Sequence, residues 1–106
     1  MFKRIVLLKS PDAAAVSTLL QELHAFPGQV PGLVAVEVIA DSGERSLGFD
    51  QGFILTFTDE SVLPGWREHP LHAGFRPRLR ALCQMLIFDY PHPAPAHQKE
   101  DHYAYV

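Results

Sequence analysis

The 106-residue chain sets 9 Lys and Arg against 12 Asp and Glu, a formal net charge of -3, so a phosphate backbone gains no general attraction from it and nucleic-acid binding is not expected. A chain of this length is one domain able to bury roughly two thirds of its unfolded surface, and its single cysteine, Cys83, excludes an internal disulfide framework. There is no apolar signal segment and no run of roughly eighteen apolar residues, which argues against a membrane partner and makes a cytoplasmic protein the expectation.

Residues 2 to 9, FKRIVLLK, are an apolar run with β-branched residues and lysines near both ends, the pattern of a first strand. Ser10-Pro11-Asp12 then reads as a helix start. Ser10 is the expected cap, Pro11 fits the first helical position where its missing N–H costs nothing, and Asp12 suits the positive end of the helix dipole. Val16, Leu19, Leu20, Leu23 and Phe26 recur at helical spacing, and Pro27-Gly28 ends the helix. LVAVEVIA, residues 33 to 40, is the second strand, and DSGERSLG is a connection long enough to be mobile.

GFILTF, residues 52 to 57, is the third strand. Asp59 or Ser61 caps the next helical segment, with Pro64 in its first turn, and Pro70 and Pro77 predict two or three short helices over residues 62 to 83. MLIFDY, residues 85 to 90, is the last strand. The domain is therefore placed at residues 1–90. Residues 91–106, PHPAPAHQKEDHYAYV, read as an extended Pro/His-rich tail, with Tyr103, Tyr105 and Val106 as its only apolar cluster. The order β-α-β-β-α-β predicts an α+β, ferredoxin-like fold with a four-stranded antiparallel sheet and helices on one face.

Such a sheet, covered on one side, alternates apolar and polar residues. These strands do not. Val6 and Leu8 oppose Ile5 and Leu7; Val34, Val36 and Val38 oppose Leu33, Ala35 and Ile39; Met85 and Ile87 oppose Leu86 and Phe88. Two short helices cover one face only, so the expected partner for the other is a second copy of the chain, giving a homodimer closed through the sheet face.

FKRIVLLK, GFDQGFILTF, WREHPLHAGF and LIFDY, taken in order over residues 2 to 90, resemble the Dabb family, the stress-responsive dimeric α/β-barrel proteins; the HPxHxxF element is the most specific part. The resemblance implies the same fold and dimer. It also implies the activity best associated with that family, cyclisation of a linear polyketide in a pocket between sheet and helices, which uses a first-strand histidine and a tyrosine and histidine around HPxH. Of these, the second histidine is His72; the first-strand histidine falls on Arg4, the tyrosine on Trp66, and a further histidine before the third strand on Gln51. Arginine does not act as a base at working pH and indole has no acidic hydroxyl, so His72 is left without those partners.

Arg4 shares a strand face with Val6 and Leu8 and admits two readings: a cation that pairs with Asp89 or Glu37 or reaches solvent, and a cation at a pocket mouth binding a carboxylate or enolate. His69 and His72 lie three apart. No third ligand accompanies them, so no metal and no cofactor is expected; His69 is read as capping the helix opened by Pro70, and His72 as an internal hydrogen-bonding or pocket group. Arg76, Arg78 and Arg80 alternate and form no single helical stripe; His24, His92, His97 and His102 read as solvated, and Cys83 as a small apolar residue.

Two functions remain. One is a binding module that takes a small apolar or aromatic ligand in a pocket between sheet and helices, with Arg4, Phe49, Gln51, Phe53, Trp66, His69 and Phe75 as the ligand-contacting set. The other is a cofactor-independent enzyme, polyketide cyclase-, isomerase- or oxygenase-like, in which His72 transfers a proton.

Overall fold

The computed structural model describes residues 1–93. Its strands are β1 (Phe2–Lys9), β2 (Leu33–Ala40), β3 (Gln51–Phe57) and β4 (Gln84–Pro91), in the order β2-β3-β1-β4 with every neighbouring pair antiparallel. β1 and β2 both oppose β3, so they run parallel to each other and need a crossover. The same holds for β3 and β4 about β1. Both crossovers carry helices, and the result is the expected four-stranded ferredoxin-like α+β fold. β4 runs through Pro91, which pairs with Phe2, so the sheet ends one residue beyond the expected boundary.

Helix α1 (Ala13–Leu20) is capped by Asp12, whose side chain accepts from the Ala15 N–H, and a 3₁₀ turn over Gln21–Ala25 continues it. This corrects the assignment of the cap to Ser10. The Ser10 hydroxyl instead accepts from the Asp12 N–H and donates to the Leu82 carbonyl, tying the start of one crossover to the end of the other. Asp59 caps a short 3₁₀ turn (Glu60–Val62) that leads into α2 (Leu63–Glu68), where Pro64 sits in the first turn. His69 then leaves the helical region at ψ 138, and its side chain accepts from the Leu71 N–H at 3.1 Å to open α3 (Pro70–Leu82). The expected break in residues 62 to 83 is therefore at His69 alone. Pro77 lies inside an unbroken α3 because Ala73, four residues back, faces solvent, where water can satisfy its carbonyl.

Val16, Leu19, Leu20 and Leu23 from the first crossover meet Phe75 and Leu79 from the second over Val6, Leu8, Phe53, Leu55 and Phe57 of the sheet, all buried. At roughly 1.5 to 3 kcal/mol for each large side chain removed from water, this layer dominates the stability of the domain. Aromatic rings knit its edge: Trp66 meets Phe57 at 5.9 Å and Phe26 at 6.1 Å, and Phe75 meets Phe26 at 5.8 Å, all tilted or edge-on.

The opposite face has no such cover among the described residues. Ile5, Leu7, Ile39 and Ile54 are half-buried, Leu86 is 53% exposed and Phe88 66% exposed. Register aligns Ile54, Ile5 and Phe88 in one row across three strands, and Leu7 beside Leu86 in the next. One detail of the alternation is corrected. A bulge between Leu33 and Ala35 shifts the phase of β2, so Leu33 joins Val36 and Val38 on the helix side and is buried, while Val34 is 45% exposed.

The connection over residues 41 to 50 is closed by its own bonds. Asp41 N–H donates to the Asp50 carbonyl at 2.8 Å and the Ser46 hydroxyl to the Asp50 carboxylate at 2.8 Å.

Candidate functional site

A cavity of about 240 Å³ opens between the sheet and the helix pair α2–α3. β1 supplies Arg4 and Val6, β3 Phe53 and Leu55, and β4 Met85 and Ile87; the helices supply Trp66, Arg67, His72, Phe75, Arg76 and Leu79. The break at His69 makes this possible. By ending α2 and restarting the chain in a new direction, it brings Trp66 and Arg67 from the first helix to the same hollow as His72 and Arg76 from the second.

His72 stands over the indole of Trp66, ring centroids 4.5 Å apart, and its Nδ1 is 3.1 Å from the Arg67 carbonyl. A carbonyl can only accept, so Nδ1 carries the proton and Nε2 holds the lone pair when the ring is neutral. Burial is the main reason that the His72 pKa falls below its ordinary value; the bond to the Arg67 carbonyl opposes this, and the positive charges of Arg76, Arg4 and Arg67 add to it. His72 is thus a neutral imidazole at working pH, able to take a proton at Nε2.

Arg4 pairs with Asp89, its direct cross-strand neighbour on β4, through two bonds: Nε to Oδ1 at 2.7 Å and Nη2 to Oδ2 at 2.9 Å. This bidentate geometry fixes the guanidinium plane and offsets its charge. Arg4 therefore has the carboxylate partner of the first reading and also lines the cavity.

Of the residues singled out from the sequence, Arg4, Phe53, Trp66, His72 and Phe75 line the cavity. Phe49, Gln51 and His69 do not. Gln51 donates through its side-chain amide to the Ala13 carbonyl at the start of α1, Phe49 lies under the Lys9 ammonium at 5.9 Å on the far side of the hairpin connection, and His69 is spent on the α3 cap. Sequence reading missed Arg67, Arg76, Met85 and Ile87, and did not name the core residues Val6, Leu55 and Leu79 as walls of the site. The signal for Arg76 was its i+4 relation to His72, which puts both on one helix face; for Met85 and Ile87 it was their sharing a strand face with Asp89.

Elsewhere, Arg78 pairs with Glu22 through two bonds of 2.8 and 2.6 Å, which hold the Glu22 carboxyl below its ordinary range, and Arg80 lies beside Lys9 and Cys83 in a separate hollow. The three alternating arginines thus have three different surroundings. The Cys83 thiol donates to the Leu79 carbonyl at 3.2 Å and is pushed up by burial, which disfavours the nucleophilic thiolate. Among the described residues no three His, Cys, Asp or Glu converge as a metal site, and no helix is long and apolar enough to cross a membrane. His97 and His102 lie outside the described residues, as do Tyr103, Tyr105 and Val106.

The four-stranded sheet, with helices and a cavity on one side and an apolar surface on the other, defines a ferredoxin-like α+β domain. The chain belongs to the Dabb family, the stress responsive A/B barrel domain, whose pattern it matches over residues 2–92. Its fold is similar to that of a dimeric ferredoxin-like protein of unknown function from Jannaschia sp. CCS1, at 23% identity over 85% of this chain and 97% of that one, TM-score 0.74. It is also similar to a hydroxynitrile lyase from Passiflora edulis, at 14% identity over 89% and 96% of the chains, TM-score 0.75. A third likeness is a cofactor-independent oxygenase from Streptomyces nogalater, at 15% identity over 90% and 95%, TM-score 0.72. No curated protein matches the sequence.

Proposed function

We propose that the protein is a cytoplasmic homodimer, closed through its open sheet faces, that binds a small apolar or aromatic ligand in the cavity between sheet and helices. The observation that carries the binding reading is the cavity itself: seven apolar walls, Val6, Phe53, Leu55, Phe75, Leu79, Met85 and Ile87, with one imidazole, one indole and three guanidinium groups. Apolar walls with a few convergent polar groups are the usual composition of a ligand site, and 240 Å³ lies just below the roughly 300 to 1,000 Å³ of sites for drug-sized molecules. A single ring or a short acyl chain suits that volume. The dimer reading is supported by exposed Phe88 and Leu86, in adjacent rows of the open face, and by the Jannaschia relative, a protein described as dimeric.

The test uses Trp66, the one tryptophan of the chain, which lines the cavity. Benzoate, phenylacetate and octanoate, each with its neutral amide, are titrated while indole emission is read. Binding by any member changes the emission saturably, and Met85→Phe, which fills the cavity, abolishes the change. If no member saturates at millimolar concentration, the binding reading is lost.

A second reading, a cofactor-independent enzyme, is favoured by one observation: a neutral His72 with its Nε2 lone pair available beside cations that would stabilise an enolate. His72→Gln separates the two readings. Turnover by the parent that disappears in this variant, with binding retained, establishes the enzyme; unchanged binding and no turnover by the parent leaves the binding module.

A further inference from the structure

The polar part of the cavity is one-sided. Arg4, Arg67 and Arg76 line it, and among the described residues no Asp or Glu does. Arg4 already has its counter-ion in Asp89, but among the described residues neither Arg67 nor Arg76 has a carboxylate within ion-pair distance. Arg67 comes from the last turn of α2 and Arg76 from the middle of α3, and both are exposed while their side chains border an apolar hollow. Burial is the main cause of the lowered His72 pKa, and the charges of Arg76, Arg4 and Arg67 act in the same direction, in keeping with their shared place around the cavity. Among the described residues no polar or charged side chain is buried in the core, so the charge of Arg67 and Arg76 sits at the rim of the cavity, against its apolar walls.

We infer that the ligand of this cavity is an organic anion, an aromatic or short-chain carboxylic acid, whose apolar body fills the space between β1, β3, β4 and α3 and whose carboxylate is held at the mouth by Arg67 and Arg76. The inference rests on the binding reading above and narrows it to a chemical class. Guanidinium groups bind carboxylates through paired, charge-assisted hydrogen bonds, about twice as strong as neutral ones. An amide of the same shape keeps the apolar contacts and forfeits the charge. His72, neutral and adjacent, supplies a further hydrogen-bonding group without adding a competing positive charge at the apolar end.

The experiment compares each acid of the panel with its own amide by Trp66 emission, in the parent and in the Arg67→Gln/Arg76→Gln double variant. Both substitutions are at exposed positions and leave the core intact, which far-ultraviolet circular dichroism checks. The acid is expected to bind on the order of tenfold or more tightly than its amide in the parent, the gap to close to about one in the double variant, and amide affinity to stay unchanged between the two proteins. Raising salt weakens the acid and not the amide. Equal affinity of acid and amide in the parent overturns the inference and leaves the binding reading intact; a preference for the acid that survives the double substitution overturns the role of Arg67 and Arg76. Failure of every acid and amide to bind removes both readings together.

Discussion

The two faces of one sheet both carry rows of apolar side chains, interrupted on the open face by Lys3, Glu37 and Thr56, and are buried to very different extents. On the helix side Val6, Leu8, Phe53, Leu55 and Phe57 are all at most 4% exposed, and only Ile87, on the edge strand β4 at the cavity, is open at 53%; on the other face Phe88 and Leu86 keep more than half of their surface. Topology makes most of this difference. Both crossovers pass over the same face, so the chain spends all of its helices there. An apolar strand pattern states that both faces favour leaving water, while the connections decide which face the chain covers by itself.

The largest effect is expected where the cover is complete. Phe57→Ala leaves a cavity beneath Trp66 and is expected to lower stability by about 3 to 5 kcal/mol in urea unfolding. Phe88→Ala, an equal truncation on the other face, is expected to change monomer stability by less than about 1 kcal/mol. Equal losses at the two positions, measured at a dilution where the chain sediments as a monomer, would break the comparison, because they would mean that Phe88 is packed within a single chain.

Next in size is the charge test of the open face. Phe88→Asp puts a carboxylate into the row formed with Ile5 and Ile54, and a buried, unpaired charge there is expected to cost the proposed dimer about 2 kcal/mol or more, roughly a thirtyfold rise in its dissociation constant. Sedimentation reads the change, with circular dichroism unaltered. A parent that sediments as a monomer at micromolar concentration removes the dimer. Smaller again is Asp12→Ala. It deletes the cap of α1, the helix that supplies Val16, Leu19 and Leu20 to the covered face, and is expected to cost about 1 kcal/mol without altering assembly.

Much of this was legible in the sequence, and the parts that were not share a cause. The strands over residues 2 to 9 and 33 to 40 were read to the residue, because period-two patterning and β-branched runs are local signals. The helix break at His69 was legible for the same reason. The bulge at Leu33/Ala35 was not, since one extra residue leaves composition unchanged while exchanging which of Leu33 and Val34 is buried. Nor was the contribution of Arg67, since its place at the cavity depends on the angle between two helices, which no local pattern encodes. Gln51 was named from the family resemblance and Phe49 as a wall of the expected pocket; register put Gln51 at the start of β3, where its amide reaches α1.

The smallest expected effect is one of pH, and it again belongs to the covered side. His72 loses hydration among Trp66, Phe75 and the sheet, and Arg76, Arg4 and Arg67 add positive charge, so folding lowers its pKa despite the bond to the Arg67 carbonyl; Asp89 faces the same hollow only through Arg4. In the unfolded chain the imidazole takes its proton near about pH 6.5. Above that value both states are neutral and His72 contributes nothing to the pH dependence. As pH falls below it, the unfolded state binds the proton first, so stability declines and continues to do so until pH passes the lowered pKa of the folded state. Urea unfolding of the parent is therefore expected to weaken on acidification from about pH 6.5, and the difference from His72→Gln over that window isolates this one group. A difference of opposite sign would mean that folding favours the imidazolium, and would place a carboxylate beside His72. Saturation with a carboxylic acid ligand supplies such a charge, so a carboxylate held by Arg67 and Arg76 is expected to flatten the slope in the parent and to leave His72→Gln unmoved.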